Sequence, residues 1–329
     1  MTPEDKKAIR RIKKDCELAH LHETSVHDRG DLGFANNRLI QAAFPYRATP
    51  ERQWTSTNGD VEITITALSS KRGLPYGPYP RLLMIWLASK VTENAASYDG
   101  NDPARLKIFF GNHLATFMRE LGIEARYSTW TDFRGNTINP NSERLRQQML
   151  RLFNLNIHVS EEIETDKKFI ERMTNTLASE TLELHWDKDE DSDYSFADSY
   201  VQLSEKFFNL LSSNPVPIDL GILRTLKQSP MALDLYVWLT YRSFYARRPF
   251  IVTVPALMEQ FGTILDPEDA KARRNFMVKF KRAVKKVHKA WPETNKKLKN
   301  GERKLEVLKR GKGLRVWPMK PSVPSKPQQ

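Results

Sequence analysis

The chain has 329 residues, of which 40% are apolar, so its length and composition allow two ordinary folded domains and argue against global disorder. Its 52 lysines and arginines against 40 acidic residues leave a formal net charge of +12, which favours an acidic partner. A single cysteine, Cys16, excludes a disulfide framework and a cysteine-rich zinc site and fits a reducing cytosol. The sequence has no uncharged apolar run long enough to span a membrane.

The charge is strongly segregated along the sequence. Residues 271–315 carry 18 lysines and arginines against three glutamates, a local net charge of +15, so the rest of the chain is slightly acidic. Residues 161–198 carry 13 acidic side chains against four basic ones. A cationic run of this density favours binding to a polyanion, because each neutralised phosphate releases condensed counterions.

In chain order, the sequence first predicts a basic helix near Glu4–His22 and then a loop. Alternating residues predict a strand at 61–66, and a nearly all-apolar helix follows from Pro80. A short apolar strand at 106–110 leads to an amphipathic helix. Gly122 follows that helix at the position where a left-handed cap residue is favoured.

The same order of elements recurs in the second half of the sequence. A buried helix containing Trp238, a short strand at 250–253 and an amphipathic helix ending near Gly262 repeat the first series. A third, cationic helix then follows in each half, at about 141–153 and about 267–290. The amphipathic helices share one apolar spacing, formed by Leu114, Phe117, Met118 and Leu121 in the first half and Val254, Leu257, Met258 and Phe261 in the second.

A β-hairpin is predicted after each cationic helix. The first pairs 156–165 with 181–186, and the second spans 296–317. Helix, strand, helix, turn, helix and hairpin is the order of a winged-helix module. The sequence therefore predicts an α+β, mainly α fold with tandem winged-helix domains. Its predicted parts are an N-terminal extension at 1–60, a first winged-helix domain at 61–190, a strongly basic second one at 191–318 and a disordered proline-rich tail at 319–329.

The cationic helix of the second half is the main candidate for a binding site. On a helical wheel one side is apolar and the opposite side collects lysines and arginines. Arginine and asparagine make bidentate contacts with base edges, so Arg273, Arg274 and Asn275 near the helix start are predicted to approach bases. The other predicted DNA contacts are Lys271, Lys281, Arg282, Lys285, Lys286 and Lys289 of this helix, Lys309, Arg310 and Lys312 of the hairpin, and Arg144, Gln147 and Arg151 of the first cationic helix.

The sequence lacks the common catalytic and metal-binding motifs. It contains no P-loop pattern, and no metal or other cofactor is expected. His20-Leu21-His22 has the form of the metal-binding histidine pair of HUH nicking enzymes, which lies on a strand. The residues around it here favour a helix, on which positions i and i+2 diverge. We therefore predict that the protein is not an enzyme, with an HUH-type nicking initiator as an alternative.

Several motifs, in this order and spacing, resemble plasmid replication initiators of the RepA type. The resemblance runs from about Leu74 to Pro318. Its motifs are Tyr76-Gly77, Pro80-Arg81-Leu82-Leu83, Trp86-Leu87, Phe117–Gly122, Arg144–Met149, Ser229–Asp234, Trp238–Arg242 and Gln260-Phe261-Gly262.

The resemblance implies a function and a set of partners. It implies binding to repeated sites (iterons) in double-stranded DNA at a plasmid origin, local opening of the origin, and recruitment of host DnaA and the replicative helicase. Plasmid copy control in the bacterial cytoplasm is expected with this function. The lack of a long apolar run predicts no membrane partner, and the charge distribution leaves the first domain available for a homodimer contact. A winged-helix transcriptional repressor, acting on its own gene, is the alternative function.

Overall fold

The structure is a computed structural model that describes residues 3–36, 44–58, 61–124, 130–131, 137–138, 140–165, 168–185, 198–262, 266–308 and 312–324. Nine α-helices lie within these ranges: α1 (Pro3–Glu23), α2 (Pro78–Ser97), α3 (Leu114–Glu120), α4 (Pro140–Leu152), α5 (Glu205–Ser212), α6 (Leu220–Leu226), α7 (Pro230–Tyr245), α8 (Val254–Gly262) and α9 (Ala270–Ala290). None of these nine helices is long and apolar enough to cross a membrane.

The strands within the same ranges pair antiparallel in five sheets, with the orders β1-β11, β2-β3-β7-β8, β4-β10-β9, β5-β6 and β12-β14-β13. Their bounds are β1 (Leu32–Asn36), β2 (Gln53–Asn58), β3 (Val61–Ala67), β4 (Lys107–Phe109), β5 (Trp130–Thr131), β6 (Thr137–Ile138), β7 (Leu155–Thr165), β8 (Lys168–Leu177), β9 (Thr181–Glu183), β10 (Tyr200–Gln202), β11 (Pro215–Asp219), β12 (Phe250–Val252), β13 (Leu305–Val307) and β14 (Leu314–Val316).

The same succession of elements occurs twice. The first repeat is α2, β4, α3 and α4, with the short strands β5 and β6 between its last two helices, and the second is α7, β12, α8 and α9. In each repeat the strand between the first two helices pairs with the last strand of a three-stranded sheet, as the orders β4-β10-β9 and β12-β14-β13 show. The mixed α and β composition and the repeated order of elements agree with the sequence-based expectation.

The predicted end of α3 is confirmed in detail. Gly122 adopts φ +69°, a left-handed conformation that glycine reaches without a steric penalty. Its N–H donates to the carbonyl oxygen of Arg119 (2.9 Å), and the N–H of Ile123 donates to that of Met118 (2.7 Å). These two bonds are the capping pattern that closes a helix at a left-handed glycine. The eight apolar residues that define the common spacing of the two amphipathic helices are all buried, with at most 5% of each exposed.

The hairpin predicted at 296–317 is confirmed. Strand β13 pairs with β14, and β14 also pairs with β12, so that Val316 lies between Leu305 and Phe250. Gly313, just before β14, has φ +119° and packs against the backbone where β12 leads into α8. A Cβ at this position would lie 2.0 Å from the carbonyl oxygen of Val252, so only glycine fits the close approach.

The pairing predicted for the first hairpin is wrong. Strand β7 pairs along its length with β8 and, on its other side, with β3, and does not pair with the described residues 181–185. Thr181–Glu183 forms β9, which pairs with β10, and β10 pairs with β4. The strand at 156–165 was predictable from its alternation, but its partner was not. Segment 168–177 follows almost immediately in the chain, and short connections favour pairing of sequence neighbours.

The region before residue 61 contains more than the predicted helix and loop. The helix near Glu4–His22 is confirmed as α1. Strand β1, in the segment predicted as loop, pairs with β11, so that Leu32 lies opposite Asp219. Strand β2 pairs with β3 and contacts α8. Because the partner of β1 lies far along the chain, the local sequence gives no signal for this strand.

The segment predicted as a disordered tail packs against the fold as far as Pro324. Met319 is buried, and the hydroxyls of Ser322 and Tyr236 are hydrogen-bonded at 3.0 Å. His27 Nε2 lies 3.2 Å from the carbonyl oxygen of Pro324. The prediction of disorder is therefore wrong for 319–324, because one apolar side chain and specific polar contacts offset the unfavourable proline-rich composition. Residues 325–329 lie outside the described ranges.

An ion pair between buried Arg81 and partly buried Asp234 connects the two repeats. Arg81 of α2 donates from Nε to Asp234 Oδ1 (2.6 Å) and from Nη2 to Asp234 Oδ2 (2.9 Å). Its remaining donors reach the carbonyl oxygens of Gly77 (2.7 Å) and Phe44 (2.6 Å). Asp234 lies on α7, which has the same place in the second repeat as α2 in the first. The same set of buried apolar side chains also continues through both repeats.

Candidate nucleic-acid interface

Helix α9 is built to present one apolar and one cationic face. Asp269 caps its start by accepting a hydrogen bond from the Lys271 N–H at 2.8 Å. The face predicted to be apolar is buried and packs against α6, α7 and α8. Phe280 is central to this packing, with its ring centroid 5.7 Å from that of Phe261 and 5.5 Å from that of Phe276. Packing on this side fixes the opposite side of the helix toward solvent.

The solvent side of α9 is almost purely cationic. Most of the predicted contact residues on the helix are exposed, namely Lys271, Arg274, Asn275, Lys281, Arg282, Lys285, Lys286 and Lys289, together with Lys279. Within the described ranges, Lys289 is the one cation of α9 that forms an ion pair, with Asp15 of α1 at 3.0 Å. The described residues therefore leave the positive charge of this face largely uncompensated.

The shape of α9 suits the major groove of duplex DNA. Its 21 residues extend for about 31 Å, and a B-DNA major groove about 12 Å wide admits an α-helix. The first turn carries no acidic side chain. The Asp269 carboxylate at the cap offsets the partial positive charge of the helix start, so attraction of phosphate here depends on Lys271 and Arg274.

Two of the predicted DNA-contact residues on α9 are less available than the others, Arg273 because it is partly buried and Lys289 because it already has an ion-pair partner. Arg273 is half-buried, unlike its neighbours Arg274 and Asn275. Lys289 lies where α1 approaches the end of α9, close to the contact at 3.3 Å between His22 Nε2 and the Ala290 carbonyl oxygen. The ion pair of Lys289 is solvent-exposed on both sides, and such pairs contribute little, so a phosphate could replace the carboxylate.

The hairpin after α9 places one further predicted residue in an exposed position. Lys312 is exposed and precedes Gly313, which packs at the start of α8. Lys309 and Arg310 lie outside the described residues. Two other cations of the hairpin form ion pairs, Lys304 with Glu293 and Arg315 with Glu302. The hydrogen bond from Arg315 holds the pKa of Glu302 below its usual value.

The cationic helix of the first repeat differs from α9. Arg144 of α4 is exposed. Gln147 donates to Glu143 Oε1 at 2.8 Å, and Arg151 donates to the Leu74 carbonyl oxygen at 3.0 Å. The Arg151 guanidinium also lies over the Tyr76 ring, 5.2 Å from its centroid. Arg144 is thus the most available of the three predicted residues, while Gln147 and Arg151 already stabilise the local fold.

Arg144 also lines a groove that sequence reasoning did not identify. The groove has a volume of about 640 Å³, and its wall includes Arg47, Lys227 and Tyr79. Lys227 is held there by donating to the Gly122 carbonyl oxygen at 2.7 Å. These residues come from segments far apart in sequence, so no local pattern connects them.

The histidine pair of the nicking-enzyme alternative lies on α1. Leu21 between the two histidines is buried, while His20 and His22 are exposed. His20 Nδ1 lies 3.3 Å from the Thr24 hydroxyl. The helix expected here is confirmed, and it directs positions i and i+2 apart. Within the described ranges, no group of three or more histidine, cysteine, aspartate or glutamate side chains could hold a metal ion.

Comparison with known proteins gives one family match. Residues 74–249 match the family model RepA_C, described as plasmid-encoded RepA protein. A search of curated proteins gives no match.

Among solved structures, the chain is similar to two crystal structures of RctB domains. The first, of selenomethionine derivatives of domains 2 and 3, has 13% identity and a TM-score of 0.48, and the match covers 84% of this chain and 94% of that one. The second, of domains 2–3, has 12% identity and a TM-score of 0.45, with the same coverage.

Proposed function

Because the chain belongs to the family of plasmid-encoded RepA replication initiators, we propose that it binds repeated sites at a plasmid origin through the cationic face of α9. Binding at these repeats promotes local opening of the origin, and host DnaA and the replicative helicase are recruited there. The protein acts by binding and needs no catalytic group or cofactor. The first repeat contributes lighter DNA contact through Arg144, or a contact with a second copy of the chain.

The order of elements supports the proposal that each repeat is a winged-helix module. In the second repeat, helix α9 follows α7, β12 and α8, and the β13–β14 hairpin comes next. The sheet order β12-β14-β13 attaches this hairpin to the strand between the first two helices. In such modules the third helix enters a groove and the hairpin contacts the backbone. These are the roles proposed for α9 and Lys312.

The proposal rests on the exposed positive charge of α9, of which only Lys289 has an ion-pair partner among the described residues. The lysines and arginines on the solvent-facing side of this helix repel one another, so this side attracts counterions. Duplex phosphates can replace those counterions and release them, which favours binding at low salt. The arginine and asparagine near the start of the helix can add sequence preference by contacting base edges.

Replacing a phosphate contact should weaken binding without changing specificity. We expect Lys281→Ala to weaken binding to every duplex sequence and to reduce the slope of log affinity against log salt by about 1. Electrophoretic mobility shifts at several salt concentrations measure both effects. Lys206→Ala, which removes an exposed lysine of α5, is the matched control and should leave the slope unchanged. A normal slope for Lys281→Ala would remove α9 from the interface.

Replacing a base contact should instead change specificity. We expect Arg274→Ala to cost about 1–3 kcal/mol of binding free energy at the preferred site and to relax the preference at one base position. Binding selection from a randomised duplex library measures this preference. If the variant selects the same sequence with the same affinity as the parent, Arg274 does not read bases.

Footprinting on DNA that flanks the gene separates the initiator from the alternatives. We expect protection of several direct repeats outside a promoter. Protection of one inverted site over a promoter would favour a repressor. A magnesium-dependent nick in supercoiled origin DNA, lost in His20→Ala, would favour the nicking enzyme.

A further inference from the structure

An exposed aromatic cluster lies at the end of α7, outside the α9 interface. Phe244 and Tyr245 are each 67% exposed, although large aromatic side chains usually pack inside. The ring centroid of Tyr245 lies 5.1 Å from that of Phe244 and 5.2 Å from that of Tyr241. The three rings therefore support one another as a preformed surface that does not need to be ordered by a ligand.

Three arginines lie next to this cluster in the sequence. Arg242, Arg247 and Arg248 are exposed. The Arg242 guanidinium lies 5.7 Å from the ring centroids of both Trp238 and Phe250, so it packs on these two rings, next to Tyr241 in the sequence. Within the described ranges, these three arginines have no carboxylate partner within 4.0 Å.

Acidic side chains are missing from the whole segment in sequence. The first acidic residue before the cluster is Asp234, which Arg81 holds, and the next is Glu259. The cluster therefore combines exposed π faces with uncompensated positive charge. That combination complements a ligand that offers both flat rings and negative charge.

We propose that Tyr241, Phe244 and Tyr245, with Arg242, Arg247 and Arg248, form a binding surface for single-stranded DNA. Unpaired bases stack on aromatic side chains whatever their identity, and the arginines neutralise the neighbouring phosphates. Bases in a duplex are already stacked and do not offer their faces to a ring. The surface therefore selects single strands, whereas the cationic face of α9, with few aromatic side chains, suits duplex.

This surface deepens the proposed function, on which it rests, since a protein that promotes origin opening works next to newly exposed single strands. The proposed single-strand surface lies at the end of α7, whereas the proposed duplex interface lies on α9. One chain can thus contact duplex repeats and an opened strand through separate residues. Charge complementarity favours nucleic acid over a protein partner as the occupant.

The test uses the full chain, a fluorescein-labelled 20-nucleotide oligo(dT) and a labelled duplex of the origin repeats, with anisotropy measured in parallel. We expect Phe244→Ala/Tyr245→Ala to weaken oligo(dT) binding at least tenfold and duplex binding less than twofold. Phe244→Trp/Tyr245→Trp keeps the π faces and should retain oligo(dT) binding. We expect Arg247→Ala/Arg248→Ala to reduce the salt slope for oligo(dT) by about 1.4, as two lost phosphate contacts require.

A matched control lies on β8, where Phe169 and Met173 are 60% and 67% exposed. Phe169→Ala/Met173→Ala removes similar apolar area at another surface and should leave oligo(dT) binding unchanged. Unchanged oligo(dT) binding by Phe244→Ala/Tyr245→Ala would overturn the proposal, and so would an absence of oligo(dT) binding by the parent. Either result would favour a protein partner for the cluster. If the parent binds oligo(dT) but does not bind the duplex of the origin repeats, the result counts against the role of α9 and not against this surface.

Discussion

At the scale of single residues, His288 shows how the fold changes the chemistry of a side chain. It lies half-buried near the end of α9, and its Nδ1 is 2.9 Å from the Thr294 hydroxyl. Burial, together with the positive charge of Arg303, lowers the pKa of His288 to about 4. The native state thus holds this imidazole neutral at a pH where the unfolded chain would protonate it.

The lowered pKa makes stability depend on pH. Between about pH 6.5, where an unperturbed histidine titrates, and about pH 4, the unfolded chain binds a proton that the native state does not, so native stability falls as pH falls. We expect His288→Gln to remove this contribution. Urea unfolding at pH 7.5, 5.5 and 4.5 should show a smaller loss of unfolding free energy for the variant. Parallel losses in parent and variant would contradict the lowered pKa.

At the scale of elements, the β13–β14 hairpin depends on one close backbone approach. Gly313→Ala would add both a strained positive φ and an overlap with the Val252 carbonyl oxygen. We expect a loss of about 1–3 kcal/mol in unfolding free energy and weaker duplex binding, because the hairpin would shift from its place beside α8. Gly100→Ala, at an open position, is the control in urea unfolding. Equal stability of the two variants would contradict this role of Gly313.

The elements also show where sequence reasoning succeeds. The faces of α3, α8 and α9 were predictable because a helix imposes its period on neighbouring residues, and burial follows from that period. Gly122 was predictable as a cap because few other residues adopt its φ. By contrast, the partners of β1 and β7 depend on contacts between segments, which the alternation along a strand does not specify.

The candidate site divides in the same way. The cationic face of α9 could be predicted because all of its residues lie on one helix. The half-burial of Arg273 and the contacts of Arg151 could not, since both depend on what packs nearby. The exposed rings at Phe244 and Tyr245 were missed because an aromatic run in an apolar helix is usually buried.

At the scale of the whole molecule, the two repeats are connected through Arg81 and Asp234. We expect Arg81→Met to cost about 3–5 kcal/mol of unfolding free energy, because it removes the ionic partner of Asp234, whose side chain is only 14% exposed. Arg81→Met/Asp234→Leu should recover most of the loss, since neither charge then remains. Urea unfolding of the parent, the two single variants Arg81→Met and Asp234→Leu, and the double variant gives the coupling energy between the two side chains. Additive effects of the two single changes would mean that the pair does not join the repeats.

We propose that this chain initiates replication by binding origin duplex through α9. A circular DNA that carries this gene, its flanking DNA and no other origin tests it most directly, when introduced into a bacterial host and scored for autonomous maintenance. We expect maintenance with the parent gene and loss with Lys281→Ala/Arg282→Ala/Lys285→Ala, provided that the variant unfolds in urea like the parent. Maintenance by that variant at the parent level, or no maintenance by either gene, would contradict the account.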